Sequence, residues 1–202
     1  MNISNIKSII SISSPRPGRR VLAALLLAVF AVAIFVGSAL AANLVSNGGF
    51  ETDSNGDGIP NGWTGYQLTP ADKRVCNQSY VGSCSFKIVG GTIPTPPFWK
   101  DLYQNIPVSG EAGESYKLTF WIKAKYVSGG GDLTIHLELL HSNGYSADIA
   151  EQVVPLGNTA WHKYVLNLTS TDTYTQLYVL IIAESGSGGV LWVDKVKVVP
   201  VP

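Results

Sequence analysis

Beyond residue 43 the chain consists of short segments in which apolar and polar residues alternate, separated by glycine, asparagine, serine and proline. Residues 116–123 place four apolar side chains on one face, and residues 133–139 direct Thr134, His136 and Glu138 away from the apolar side. Because successive side chains of a β-strand point to opposite faces, this period of two predicts strands that bury one face. No segment beyond residue 43 carries a persuasive helical period, so the sequence predicts an all-β fold.

Further strands are expected at residues 85–89, 102–106, 162–168, 176–183 and 190–199. Glycine-rich turns at 129–131 and 185–189 separate some of them. About eight strands at this spacing predict an antiparallel β-sandwich of jelly-roll type. We place it at residues 43–199, followed by a short tail at 200–202.

The charges are unevenly distributed along the chain. The 14 basic and 14 acidic side chains balance, but four of the basic ones precede residue 50 and every acid lies at Glu51 or beyond. Nucleic-acid binding needs a concentrated basic stripe. A mildly acidic body therefore predicts no nucleic-acid partner.

Residues 1–42 have the three parts of a secretory signal. A basic stretch ends at Arg19-Arg20, an uncharged apolar run covers 21–36, and Ala39-Leu40-Ala41 supplies a cleavage site. We expect cleavage after Ala41 or Ala42 and a secreted protein. Residues 21–42 also approach the ~20 residues that span a bilayer, so an uncleaved anchor holding the domain outside the membrane is the alternative. The intact mass of the exported protein separates the two, since retention of Met1 contradicts cleavage.

Cys76 and Cys84 are the only two cysteines. In an exported protein they can pair in one way only, so we expect a disulfide between them. Such a short loop contributes roughly 2 to 3 kcal/mol of local stabilisation. Zinc is not expected, because no paired histidines accompany the two thiols.

A series of phrases in a set order covers almost the whole body of the chain: NLVSNGGFE (43–51), PNGW (60–63), GSCSFKI (82–88), LYQ (102–104), GESY (113–116) leading into FW (120–121), WHKY (161–164) and LWVDKV (191–196). Together they resemble the CenC-like carbohydrate-binding modules, whose members bind cellulose, xylan and related glycans. The resemblance implies a galactose-binding-like jelly roll, a structural calcium ion and, in many members, a glycan groove on one sheet. A polysaccharide or cell-surface glycan is then the expected partner.

The run from Asp53 to Gly58 matches the first half of a calcium loop, in which alternate side-chain oxygens and a glycine turn wrap a hard cation. The second half departs from the EF-hand pattern, because Thr64 stands where a bidentate glutamate is needed. By spacing, the loop ligands would be Asp53, Asn55, Asp57, Asn61 and the carbonyl of Ile59. The resemblance separately assigns a structural cation to Glu51 and Asp194. One shared ion, two ions and a merely solvated turn all remain open.

Sugar rings stack on exposed aromatic side chains, and their hydroxyl groups need polar partners nearby. The better candidates for such a site are side chains in loops and those at the strand positions that point away from the core. We select Trp99, Tyr103, Gln104, Trp121, His136 and Glu138, with Tyr126, Tyr145 and Tyr178 as additions. Other aromatic residues belong to the family phrases that look structural, and we expect them in the core: Trp63, Tyr116, Phe120, Trp161 and Trp192. Ordinary packing is the alternative for each candidate, since a loop can cover an outer face.

Catalysis is not expected. Glu138, Glu151 and Glu184 sit in no recognisable pattern of paired catalytic carboxylates, and the G-x-S-x-G elbow of serine hydrolases is absent from the sequence. Two functions remain: a secreted glycan-binding module without catalysis, or an extracellular structural or adhesion domain without glycan specificity.

Overall fold

The computed structural model describes residues 42–202, which form ten β-strands and no helix. The strands are β1 Thr64–Tyr66, β2 Lys73–Val75, β3 Ser85–Val89, β4 Trp99–Ile106, β5 Ser115–Ser128, β6 Leu133–His141, β7 Ala147–Val153, β8 Gly157–Thr169, β9 Tyr174–Glu184 and β10 Gly188–Val201. They build two five-stranded antiparallel sheets, with strand orders β1-β4-β9-β6-β7 and β2-β3-β10-β5-β8. We call these the first and second sheet. The predicted all-β sandwich is confirmed.

The predicted signal or anchor segment, residues 1–42, lies outside the described residues apart from its last position. Among residues 42–202, no helix has the length and apolar character needed to cross a membrane.

The core lies between the two sheets. Leu102, Leu137 and Ile181 of the first sheet and Phe120 and Val193 of the second are completely buried. Each such side chain contributes about 1.5 to 3 kcal/mol on leaving water. The predicted alternation of residues 116–123 is confirmed, since Tyr116, Leu118, Phe120 and Ile122 all face this core.

All seven predicted strands are present, and the three strands that the sequence analysis missed are edge strands. β1 and β7 border the first sheet, and β2 borders the second. An edge strand needs little apolar surface and often carries charges that prevent further pairing. The periodicity of β7 is weak for this reason, and β1 and β2 are only three residues long.

The segment before β1 is held along β10. The amide of Leu44 donates to the carbonyl of Val198 over 2.9 Å, and the amide of Val196 donates to the carbonyl of Gly48 over 2.8 Å. A Cβ atom at Gly48 would lie 2.0 Å from the backbone carbonyl oxygen of Val196, so only glycine allows the two backbones to come this close.

The predicted disulfide between Cys76 and Cys84 is present. It closes a loop that folds onto the outer face of the second sheet, where the Tyr80 ring stacks on Trp121 with centroids 3.6 Å apart. The Ser85 hydroxyl donates to the carbonyl of Gln78 over 2.6 Å and holds the loop down.

A buried ion pair joins three parts of the sandwich. The Nζ atom of Lys100 on β4 lies 2.7 Å from Oδ2 of Asp72, and both side chains are almost fully buried. The same carboxylate accepts hydrogen bonds from the Thr69 amide and hydroxyl and, at 2.8 Å, from the Val89 amide at the end of β3.

We expect Asp72→Asn to lower the free energy of unfolding by about 3 to 5 kcal/mol, because it leaves the Lys100 ammonium buried without its counter-charge. Lys100→Met should cost less, since Asp72 keeps its Thr69 and Val89 donors. The double variant should be more stable than Asp72→Asn alone. Urea unfolding measures the free energy of unfolding of all three variants. A loss of less than about 1 kcal/mol in Asp72→Asn, as for an ordinary surface substitution, would contradict the prediction.

Candidate functional site

A cavity of about 590 Å³ opens on the outer face of the first sheet. We call it the groove. Four adjacent strands, β1, β4, β9 and β6, contribute to it. Its lining residues are Thr64, Tyr66, Pro97, Trp99, Asp101, Tyr103, Asn105, Glu138, Tyr178 and Leu180.

Strand register determines which side chains meet in the groove. Tyr103 of β4 lies between Thr64 of β1 and Leu180 of β9, and Leu180 in turn lies beside His136 of β6. The next row along the strands contains Asn105, Tyr178 and Glu138. Side chains at paired positions of neighbouring strands share one face, so these residues form a continuous outer surface.

Aromatic rings supply the apolar part of the groove. Trp99 and Tyr66 are 42% and 44% exposed, whereas Tyr103 and Tyr178 are half-buried with ring centroids 6.3 Å apart. Trp99 starts β4, and the side chain of Gln67 donates to its carbonyl over 3.1 Å. Rings held at these angles by a rigid sheet are available to stack on flat apolar ligand faces.

Asp101 supplies the most unusual polar group of the groove. The residue is 5% exposed, and its Oδ1 atom has no hydrogen-bond partner. Burial raises the pKa of this carboxyl to about 6, the Trp99 side chain lowers it through a hydrogen bond, and the Glu138 charge raises it. A buried acceptor without a partner is costly, so a ligand that donates a hydrogen bond here removes a penalty already present in the fold.

His136 orients the neighbouring carboxylates. Its Nδ1 atom lies 2.9 Å from Oε1 of Glu138, and its Nε2 atom lies 3.4 Å from Oε2 of Glu151 on the edge strand β7. Glu138 faces the groove, whereas His136 does not line it. His136 therefore acts as a positioning residue for Glu138.

Four of the six predicted binding residues come together on this face: Trp99, Tyr103, His136 and Glu138. Gln104 points the other way and is buried. Its Oε1 atom accepts from the Ser46 amide over 2.8 Å, and its Nε2 atom donates to the carbonyls of Ser46 and Gly62. Its amide is thereby fully engaged in holding the N-terminal segment.

Trp121 lies on the outer face of the second sheet, where Tyr80 covers it. Trp161 and Trp192 are half-buried on that same sheet and do not belong to the core, whereas Trp63 does. Tyr126 and Tyr145 are strongly exposed and lie outside the groove, while the additional candidate Tyr178 lines it.

Asp101, Asn105 and Tyr66 also line the groove and were not among the predicted binding residues. Asp101 and Asn105 could have been predicted from the sequence. Together with Trp99 and Tyr103 they occupy every second position of β4. Applying the period of two to this strand selects Asp101 and Asn105 and places Gln104 on the opposite face.

The predicted calcium ligands divide into two places. Glu51 and Asp194 line one cavity of about 420 Å³, together with Gly49 and Gly82. Oδ2 of Asp194 accepts from the amides of Tyr80 and Val81, and Oε1 of Glu51 accepts from those of Ser83 and Cys84. Oε2 of Glu51 accepts no hydrogen bond from residues 42–202.

Asp194 stands at the start of a β-bulge in β10. The register of β10 against β5 shifts between Asp194 and Lys197, and Lys195 has a φ of 53°. Asp194 is completely buried, and burial raises its pKa; amide hydrogen bonds lower it and the Glu51 charge raises it. The cavity therefore holds two carboxylates, one of them buried, and Lys195 and Lys197 also line it.

The loop from Asp53 to Asn61 uses its side chains on its own backbone. Asp53 accepts from the amides of Gly56 and Gly58, Asp57 accepts from Ile59 over 2.7 Å, and the side chain of Asn55 donates to Asp57. Asn61 binds Ser54 across the loop. Within the described part of the chain, no three His, Cys, Asp or Glu side chains are grouped as a metal site.

Comparison with solved structures identifies the same fold in sugar-binding domains. The CBM22-1 xylan-binding domain of Xyn10C from Paenibacillus barcinonensis is 17% identical with a TM-score of 0.56, over 80% of this chain and 96% of that domain. TmCBM61 in complex with beta-1,4-galactotriose is 18% identical with a TM-score of 0.53, over 78% of this chain and 97% of that one.

The fold also occurs inside a longer enzyme chain. The arabinose-bound α-L-arabinofuranosidase MgGH51 is 15% identical with a TM-score of 0.58, over 80% of this chain but only 27% of that one. No curated protein matches the chain.

The sequence also matches a family model. The model CBM_4_9, described as a carbohydrate binding domain, covers residues 42–187 and so most of the chain. The protein belongs to this carbohydrate-binding domain family.

Proposed function

We propose that the protein is a secreted, non-catalytic module that binds a polysaccharide chain in the groove of the first sheet. The observation that carries this proposal is the combination, in one cavity of about 590 Å³, of exposed aromatic rings with the unpartnered buried carboxylate oxygen of Asp101. Stacking on Trp99 and Tyr103 would bind the sugar faces, and Asp101, Asn105 and Glu138 would accept or donate hydrogen bonds to hydroxyl groups.

The extent of the groove favours a chain over a single sugar. Its lining residues spread over four neighbouring strands, which span roughly 14 Å at the usual strand spacing. This is wider than one sugar ring. The family match and the names of two structural neighbours, one xylan-binding and one bound to galactotriose, support the same ligand class.

The charge of the groove favours a neutral polysaccharide. Asp101 and Glu138 both face it, and no lysine or arginine is among its lining residues. Carboxylates of a uronic acid would be repelled here, whereas hydroxyl groups donate readily to these acceptors. Neutral xylan, β-glucan, cellulose, mannan and galactan are therefore the ligands to screen.

We expect Trp99→Ala to weaken binding to the best neutral polysaccharide at least about 10-fold, because the exposed ring is placed to stack on ligand. Its cost in stability should stay at ~1 kcal/mol, the usual value of one hydrogen bond, because the side chain also bonds to Asp101. Trp121→Ala is the matched control. It should lower the melting temperature, since Tyr80 packs on this ring, and leave affinity unchanged. Affinity electrophoresis and thermal melts measure both.

The reverse pattern, with Trp121 needed for affinity and Trp99 not, would overturn the groove assignment. Absence of binding to every polysaccharide by the folded protein would favour the structural or adhesion role instead.

We expect affinity for a neutral polysaccharide to rise about 10-fold from pH 5 to pH 7, because the ionised Asp101 carboxylate is the better acceptor and its pKa of about 6 lies within this range. Asp101→Asn should abolish most of this rise. His136 also faces Glu138, so the comparison of the two proteins, rather than the wild-type profile alone, isolates Asp101. Identical pH profiles for both would contradict its role.

A structural calcium ion between Glu51 and Asp194 is part of the proposal. When bound, the ion would neutralise the two carboxylates that share this cavity and link the N-terminal segment to β10. The loop of Asp53, Asn55, Asp57, Ile59 and Asn61 is the less favoured place. All four carboxylate oxygens of Asp53 and Asp57 accept hydrogen bonds, whereas Oε2 of Glu51 accepts none from residues 42–202.

We expect calcium to raise the melting temperature relative to excess chelator, since an ion that binds only the native state stabilises it. Glu51→Gln should abolish this shift, and Asp57→Asn should preserve it. Loss of the shift in Asp57→Asn alone would move the ion to the loop. No shift in the wild type would remove calcium from the proposal.

Export is supported by the disulfide between Cys76 and Cys84, because disulfides persist in oxidising compartments. The signal segment of residues 1–42 would deliver the domain there. Membrane contact would then occur only through that segment, if it is not cleaved.

A further inference from the structure

The two sheets carry opposite charges. The strands of the second sheet contain nine lysines and arginines and a single acid, the buried Asp194. The strands of the first sheet contain one lysine, Lys100, and five acids. The zero net charge of the chain conceals this separation.

The lysines of the second sheet gather on its outer face, which we call the lysine face. Alternation on β5 directs Lys117, Lys123 and Lys125 outward, opposite the buried core positions. Strand pairing places further lysines on this face, and Lys195 is exposed at the β10 bulge. The complete set is Lys73, Lys87, Lys117, Lys123, Lys125, Lys163, Lys195 and Lys197.

A straight row crosses four strands of this face. Lys73 of β2 pairs with Lys87 of β3, Lys87 pairs with Trp192 of β10, and Trp192 pairs with Lys123 of β5. At the usual strand spacing the row is roughly 14 Å long. Trp192 is half-buried, and the Nζ atom of Lys123 lies 5.9 Å from the centre of its ring.

Within residues 42–202 no carboxylate forms an ion pair with this row, although Asp57 lines one cavity together with Lys73. Among the described residues, Lys100 is the only lysine or arginine within ion-pair distance of an acid. Lys123 donates instead to the neutral side chain of Gln78. Like charges directly across two strands, as in Lys73 and Lys87, destabilise a sheet, so this row opposes folding rather than supporting it.

We propose that the lysine face is a second binding surface, for an anionic polysaccharide. Ammonium groups of the row would pair with sugar carboxylates, and Trp192 would offer a flat apolar surface between them. Binding of a polyanion would relieve the lysine repulsion present in the free protein. Because the groove is acidic and this face is basic, one molecule could hold a neutral and an acidic polysaccharide on opposite sides.

The surroundings of the row favour a polysaccharide over a membrane or a nucleic acid. No large exposed apolar side chain lies within it, and insertion into a bilayer requires such side chains. The disulfide in the neighbouring loop supports export to an oxidising compartment, away from the cytosol and nucleus.

The test measures binding of the purified protein to polygalacturonate in calcium-free buffer at low and moderate salt. We expect wild type to bind at low salt and to lose affinity steeply as salt rises, as polyanion complexes do. The triple variant Lys73→Gln, Lys87→Gln, Lys123→Gln should bind at least about 10-fold more weakly, with a shallower salt dependence. Its melting temperature should be equal or higher, because the like-charge repulsion is gone.

The control is the corresponding triple variant with arginine at the same three positions, which keeps the charge and should keep the binding. Neutral polysaccharide binding through the groove should be unchanged in both variants, so failure of this proposal is separable from failure of the groove. Absence of wild-type binding, equal binding by the glutamine variant, or preference for single-stranded DNA or phosphatidylglycerol vesicles over polygalacturonate would each overturn it.

Discussion

The packing of two apolar sheet faces against each other determines where every other side chain of this domain lies. Leu102, Leu137 and Ile181 on one side and Phe120 and Val193 on the other exclude water completely. A slip of one residue in any of these strands would turn its apolar side chains to solvent, so the core holds the register of the whole sandwich. The same register aligns the side chains of the two outer faces in rows across neighbouring strands.

Those two outer faces have opposite chemistry. The first sheet presents aromatic rings with carboxylates, among them the unpartnered Asp101, whereas the second presents lysines around Trp192. A polar group that lacks a partner and a row of like charges both reduce stability in the free protein. A bound ligand would satisfy both features, and we propose ligands of different charge for the two faces.

Loops and bulges adjust this regular frame at a few positions. The disulfide loop places Tyr80 over Trp121 and so closes part of the second sheet to ligand. Asp194 stands next to the bulge of β10 and lies under the disulfide loop beside Glu51, where burial raises its pKa. Gln104 faces inward without any irregularity and binds the N-terminal segment. In each case a polar or aromatic residue of the family phrases serves the architecture rather than the groove.

The sequence by itself determined the all-β sandwich, the buried faces of β5 and β6, the disulfide and the resemblance to carbohydrate-binding modules, because alternation, cysteine count and ordered phrases are local properties of the chain. It also selected Trp99, Tyr103, His136 and Glu138. Only the tertiary structure decided that these residues meet, that Asp101 joins them, and that Trp121 belongs to the other sheet. The physical reason is that alternation assigns a side chain to a face of its own strand, whereas the neighbours across that face come from the pairing of β4, β9 and β6, strands far apart in the sequence.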